Sequence, residues 1–375
     1  MAGIYIHIPF CRKKCHYCNF YSTPSLKYRD RIVPALQHEL RLQKNYLNET
    51  VNTIYFGGGT PSLLSSDEIN LLIDEIQQNF VLSNSPEITL EANPDDISLQ
   101  KVKELRATSV NRISMGVQSF YAADLKYLNR LHEDTQSEYA IKALQDGGFT
   151  DISIDLIYGA PSLGMGHWRE NLNKAVGLQI PHISAYALTV EPNTNLEVLI
   201  SKQKRAAVSE AETANQFRYL MQFMKDVNYV HYEISNFCLP GHESKHNRAY
   251  WEGIPYLGVG PSAHSFNIAS RQWNCANMEQ YVDTIAQHKV PFEAEVLTPT
   301  QKYNEFVMTS LRTNKGIVIS ELEQKFPERF SVYFHKMLQR YHQSELLMVS
   351  DTLVSLTDEG RLFADRISSD LFFTE

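Results

Sequence analysis

Ile4, Ile6 and Ile8 alternate with Tyr5 and His7, a period of two that predicts a strand with one apolar face. Short apolar or β-branched runs over 51–56, 88–92, 112–117, 152–157 and 182–188, each bounded by Gly, Pro, Asn or Asp, predict five more strands. Between them the period lengthens. Ile32, Leu36 and Leu40 recur every four residues, and Ser65 with Glu68 forms a capping box ahead of Ile69, Leu72, Ile73 and Ile76. Further helical patterns cover 99–105, 138–144, 168–176 and about 208–224.

Six strand–helix units in succession predict a parallel sheet covered by helices. Six units in this span suit an α/β fold of the partial (β/α)6 TIM-like barrel type, with a doubly wound open sheet as the competing arrangement. Residues 235–275 are rich in Gly, Pro, His, Asn and aromatics without a clear period, and read as a long functional loop region. Beyond Thr298, helical patterns and a hairpin with its turn at 350–352 predict a small C-terminal helical, winged-helix-like domain. The expected divisions are 1–235 for the barrel, 236–297 for a loop-rich extension closing it, and 298–375 for the small domain.

The chain has 375 residues, 43% hydrophobic and 21% charged, enough to bury a core without disulfides. Lys and Arg number 35 against 43 Asp and Glu, a net charge of −8, which argues against a nucleic-acid partner. The N-terminus lacks a basic leader, and the uncharged run after Glu252 is broken by Gly and Pro, so neither an export signal nor a membrane helix is expected. Five cysteines, three of them within 11–18, suit a reducing compartment and a cytoplasmic location.

Cys11, Cys15 and Cys18 form C-x-x-x-C-x-x-C directly after the first predicted strand. Thiolates suit zinc or an iron–sulfur cluster. Zinc would want a fourth ligand, for which His16 is near in sequence, whereas three cysteines on a four-iron cube leave one iron open. Phe56-Gly57-Gly58-Gly59-Thr60-Pro61 follows the second strand, where glycines allow a ligand close to the backbone. Glu91, Gln118 and Asp155 lie at or near the ends of later strands, on the edge where parallel sheets bind ligands. For each alone, a solvated strand end or a helix cap is the more ordinary explanation, and their shared edge is the argument for a site.

The cysteine spacing, with Tyr17 before the third cysteine, resembles the radical S-adenosylmethionine (SAM) superfamily. There the three cysteines hold a 4Fe–4S cluster whose open iron chelates S-adenosyl-L-methionine. With I-Y-I-H-I-P-F-C at the start and R-I-S-M-G-V-Q-S-F in the middle, nearly the whole chain is similar to the oxygen-independent coproporphyrinogen III oxidase family. That resemblance implies Tyr5, Gly58 and Glu91 in a first cofactor site, closed by His264. It implies Tyr17, Gly59, Thr60, Gln118, Arg130 and Asp155 in a second.

Two departures point to one branch. The oxidases continue the motif to a fourth cysteine where this chain has Phe20, and they carry an N-terminal extension where only 10 residues precede Cys11. Both features, with H-N-R-A-Y-W at 246–251, resemble the haem chaperone HemW branch. The branch implies haem as a ligand, with His246, Tyr250 and Trp251 as candidate contacts. It also implies haem-accepting partner proteins, membrane-bound respiratory enzymes among them, and a homodimer. His231, His242 and His264 are further candidate haem ligands. The alternatives are decarboxylation of coproporphyrinogen III and radical chemistry on another substrate.

Overall fold

In a computed structural model, which describes residues 1–341 and 344–374, each predicted strand forms and lies beside the next in chain order. They are β1 (Ala2–Ile8), β2 (Val51–Gly58), β3 (Leu82–Ala92), β4 (Arg112–Gln118), β5 (Ile152–Tyr158) and β6 (His182–Ala187), all parallel. A doubly wound sheet needs its strand order to reverse at a switch point, and this order never does. With right-handed crossovers throughout, the helices all fall on one side and the sheet becomes an incomplete barrel.

Alternation sets the two faces. Ile4, Ile6, Ile8, Ile54 and Phe56 are fully buried under the outer helices, while Tyr5 and Tyr55 stack on the concave side, ring centroids 6.1 Å apart. The helices Arg29–Leu42 and Ser66–Asn79 present Leu36, Leu40, Leu72 and Ile76 to that core. The capping box predicted at Ser65 and Glu68 is present in both directions. Helices Ala122–Leu128, Asn195–Ser201 and Met278–Ala286 escaped the pattern; two of them are only seven residues long.

The sheet is larger than predicted. β7 (Val230–Glu233) and β8 (Asn236–Cys238) extend it antiparallel beyond β6. At the other edge β9 (Tyr256–Val259) joins β1 in parallel, followed by antiparallel β10 (His264–Phe266), β11 (Ser270–Asn274) and β12 (Phe292–Val296). The expectation of an aperiodic loop over 235–275 is therefore corrected: the segment holds β8 to β11 and the helix Lys245–Trp251. Its elements run three to seven residues, too short to display a period, and turns at Gly241, Gly253 and Gly260 (each φ > 0) separate them.

After Thr298 a second core forms around Tyr303, Phe330 and Phe334. Helices Pro299–Arg312, Ile319–Lys325 and Glu328–Leu338 pack with a three-stranded sheet of β13 (Ile317–Val318), β14 (Leu347–Val349) and β15 (Leu353–Leu356). Ion pairs Arg218–Glu359 and Lys315–Glu252 join this unit to the barrel, as does the Ile234 N–H, which donates to the Arg312 carbonyl.

Candidate functional site

The registers divide the concave face into levels. Gly3, Thr53 and Glu87 pair across β1, β2 and β3 near the N-terminal ends, whereas Ile8 pairs with Gly58 at the C-terminal end of the barrel. Five residues of strand, roughly 16 Å, separate these mouths.

The C-terminal mouth carries the cysteines. The chain leaves β1 at Pro9 and returns through the Phe10–Thr23 bridge, so Cys11, Cys15 and Cys18 sit on a loop with both ends tied to the sheet. The glycine run fixes its start: Gly59 N–H donates to Ile8 O and Thr60 N–H to Phe10 O, each 2.7 Å. A Cβ on Gly59 would stand 2.5 Å from the Phe10 carbonyl oxygen, so only glycine permits this approach. Gly58 has φ +107° and its N–H donates to Glu91 Oε2 at 3.1 Å.

Two side chains address the sulfurs. Thr60 Oγ1 donates to Cys11 Sγ at 3.6 Å, and Arg130 Nη1 donates to Cys15 Sγ at 3.4 Å. Arg130 is locked by Asn93 Oδ1 and the Gly116 carbonyl. All three thiols are free. Burial raises the Cys11 and Cys18 thiols above their usual range, a cost that bound iron removes because a ligating thiol is deprotonated outright. The His16 Nδ1 atom is buried without a hydrogen-bond partner among the described residues, and burial lowers the imidazole below its usual range. Among the described residues no three His, Cys, Asp or Glu side chains converge on a single ion. Three soft donors on one tied loop, without a fourth, fit a cube with an open corner.

Below them lie two carboxylates. Glu91 accepts from Tyr55 OH (2.9 Å) and from Gly58 N–H, and burial, with Asp155 adding to it, pushes its carboxyl up to about 7. Burial pushes Asp155 up to about 6, against a hydrogen bond from Ser184. Gln118 ends β4 with φ 66°, a left-handed backbone that turns the chain out of the sheet. Tyr17 packs near Arg130, its phenol raised by burial. Phe20, where the oxidases have a cysteine, is 65% exposed.

His246, Tyr250 and Trp251 lie apart from the cysteine loop, and His246 reaches the Glu91 group only through Tyr55, which stacks on its ring and donates to Glu91. The helix Lys245–Trp251 lies across the opposite, N-terminal mouth, where Glu87 accepts from the backbone N–H of Lys245 and of His246. His246 Nδ1 meets Thr53 Oγ1 at 2.8 Å and Nε2 meets Tyr250 OH at 2.9 Å, with its ring stacked on Tyr55. Burial lowers it to about 3, so it is neutral. Both nitrogens are thus hydrogen-bonded within the protein. Trp251 lies under the Arg312 guanidinium, 4.9 Å from its ring centre, at the junction with the C-terminal unit. The H-N-R-A-Y-W segment is packed as a plug between barrel and small domain.

His231 is also committed, whereas the His242 ring is half-exposed and makes no hydrogen bond among the described residues. His231 is half-buried, bonded to the Ile234 carbonyl and to Arg361. His242 lies 3.8 Å from Asp151. His264 differs: it is exposed on β10, its ring beside Trp273 across the ladder. Gly258 allows the His264 carbonyl to pack against β9 level with Tyr5, one strand away from β1. Composition named these residues, but their selection needed three-dimensional neighbours.

Comparison with known proteins matches this geometry. The radical SAM superfamily model matches residues 5–175, and that of the HemN C-terminal domain matches 297–363. The heme chaperone HemW of Lactococcus lactis subsp. lactis (strain IL1403) is 33% identical over 364 residues, covering 95% of this chain and 93% of that protein. The heme chaperone HemW of Bacillus subtilis (strain 168) is 32% identical over 378 residues, covering 98% of each. Among solved structures, coproporphyrinogen III oxidase (HemN) from Escherichia coli, a radical SAM enzyme, superimposes with a TM-score of 0.85 at 24% identity. It covers 99% of this chain and 90% of that one, and establishes a shared fold.

Proposed function

The chain belongs to the radical SAM superfamily and, within it, to the HemW haem chaperones, and from that premise we propose that it binds haem and delivers it to haem-accepting proteins. The observation that carries the reading is the end-to-end match to relatives of that name, with 93% and 98% of their lengths covered.

Cys11, Cys15 and Cys18 hold a 4Fe–4S cluster in this reading. A cluster held by these three cysteines would leave one iron open for S-adenosyl-L-methionine and would supply the reducing chemistry of the superfamily. Thr60 and Arg130 supply hydrogen bonds to the ligating sulfurs, which such bonds stabilise as thiolates. Gly58 and Gly59 leave the loop backbone open to the cofactor's methionine. Tyr5, Glu91 and the His264 backbone line its first site, with Tyr17, Gln118, Arg130 and Asp155 beside it. Neutral at acid pH and charged above about 7, Glu91 would accept a hydrogen bond from the cofactor's amino group more strongly when ionised.

The division of labour proposed is a cofactor barrel over 1–235, an extension over 236–297, and a small domain over 298–375. On the strength of the resemblance, acceptors include membrane-bound respiratory enzymes reached from the cytoplasm, and the chaperone works as a homodimer. Free cysteines suit the reducing compartment. No helix among the described residues is long and apolar enough to cross a membrane, so contact with such acceptors would be by docking.

The polar concave face that includes Glu91, Asp155 and Arg130 favours a second reading, oxidative decarboxylation of coproporphyrinogen III. One experiment separates them. The anaerobically purified, cluster-loaded protein is given reductant and S-adenosyl-L-methionine, then assayed for vinyl-bearing product beside a haem titration. The chaperone reading expects haem binding without product; product at catalytic turnover would overturn it.

A further inference from the structure

An open cleft of about 480 Å3 lies on the added edge of the sheet, lined by Tyr256, His264, Arg271, Trp273 and Glu295. The ladder explains why these side chains meet. His264 faces Trp273, Phe266 faces both Tyr256 and Arg271, and Arg271 faces Glu295. Alternation then puts all six side chains on one face. The other face, with Val259, Ser265 and Asn274, is buried, and Asn274 donates to Glu39 of the helix Arg29–Leu42. Because Tyr256 pairs with Gly3 and Gly258 with Tyr5, the lined face continues the concave side of the barrel.

The chemistry of this face is unlike a solvated sheet edge. No described residue hydrogen-bonds either nitrogen of His264, whereas His246, His182 and His7 each have both nitrogens engaged. Its cross-strand partner Trp273 lies beside it, 28° between planes and 6.2 Å between centroids. Tyr256 and Phe266 add an apolar floor, centroids 6.2 Å apart. Tyr256 is in turn braced by Tyr250 of the plug helix, edge-on at 4.6 Å. Arg271 pairs with Glu305 at 2.9 Å yet stays one-third exposed, leaving guanidinium donors for another anion. Glu295 limits where such an anion can sit, keeping it on the Arg271 side.

A neutral, uncommitted imidazole beside flat apolar rings and a partly free guanidinium is the donor set for a planar, iron-bearing dianion. We infer that this cleft is the haem site, with His264 as axial ligand to the iron and Arg271 pairing a propionate. The inference rests on the haem-binding reading above and names the surface that carries it. His264 serves two neighbours at once: its backbone closes on β9 beside the cofactor strand, and its ring is offered to haem. Partial desolvation and the Arg271 charge lower the imidazole pKa, which keeps the ligating form at neutral pH.

The test is a titration of the full-length protein with ferric haem, read by Soret absorbance and resonance Raman, for wild type, His264→Ala and His246→Ala. Metal-free protoporphyrin IX serves as a second probe. The inference expects His264→Ala to lose the imidazole–iron signature and at least tenfold in haem affinity. Added free imidazole should restore the signature, and affinity for the metal-free porphyrin should change less than threefold. His246→Ala should keep the wild-type spectrum. An unchanged spectrum and affinity in a folded His264→Ala protein would overturn the site while leaving haem binding intact. Failure of the wild type to bind haem would overturn the parent reading, and the site with it.

Discussion

Thr53 Oγ1 stands 2.8 Å from His246 Nδ1, joining the second barrel strand to a helix 193 residues further along the chain. With Tyr250 OH on the other nitrogen and Glu87 capping the helix start, this contact makes the H-N-R-A-Y-W segment the floor of the barrel. The cysteines occupy the other end. A motif that reads as one more functional element is, in three dimensions, what holds the mouth of the barrel opposite the chemistry.

Replacing His246 by Ala should therefore act on stability. The change leaves Thr53 Oγ1 without its buried partner and opens space beside Tyr55, costing about 2–4 kcal/mol. Chemical denaturation checks this. Haem affinity of the folded fraction should stay within threefold of wild type.

Glu91 gives stability a pH signature. Its folded carboxyl is raised to about 7 from an unfolded value of 4.5, so the folded state holds a proton that the unfolded state releases. Its contribution is complete below about pH 4.5 and is lost as pH rises through about 7. The loss is at most about 3 kcal/mol. Glu91→Gln keeps an acceptor for Tyr55 and removes the titration. In the cluster-free protein, denaturation from pH 5 to pH 8 should show the variant gaining on wild type. A constant difference across that range would contradict the assignment.

Gly59→Ala should break the cysteine loop before it breaks the barrel. A methyl group 2.5 Å from Phe10 O and 2.8 Å from Ile8 O forces the 2.7 Å hydrogen bonds at Gly59 and Thr60 apart. Overpacking of this kind costs about 1–3 kcal/mol. The expected readouts are near-native helical content by circular dichroism and iron retention at least tenfold below wild type after reconstitution.

Where elements are long and regular, the chain announces them. Ile4, Ile6 and Ile8 are buried under helices as their alternation predicts, and Ser65 with Glu68 caps the helix Ser66–Asn79. The strands at 256–259, 264–266 and 270–274 are invisible because three to five residues cannot express a period, and the first of them is anchored by pairing with the distant β1. The same limit applies to the site. Cysteine spacing is local, so the triad is legible. Whether a histidine is free or spent depends on Thr53, Tyr250 and Trp273, partners that its neighbours in sequence do not reveal.

The central claim is delivery of haem, and the most direct measurement is transfer. Haem-loaded protein is mixed with a haem-depleted respiratory enzyme in membrane vesicles while the acceptor's Soret band is followed. Delivery through contact predicts a rate that rises with acceptor concentration and exceeds the rate at which a soluble scavenger such as apomyoglobin strips haem from the donor. A rate independent of acceptor concentration and equal to that of the scavenger would mean that haem is merely released, and would contradict the account.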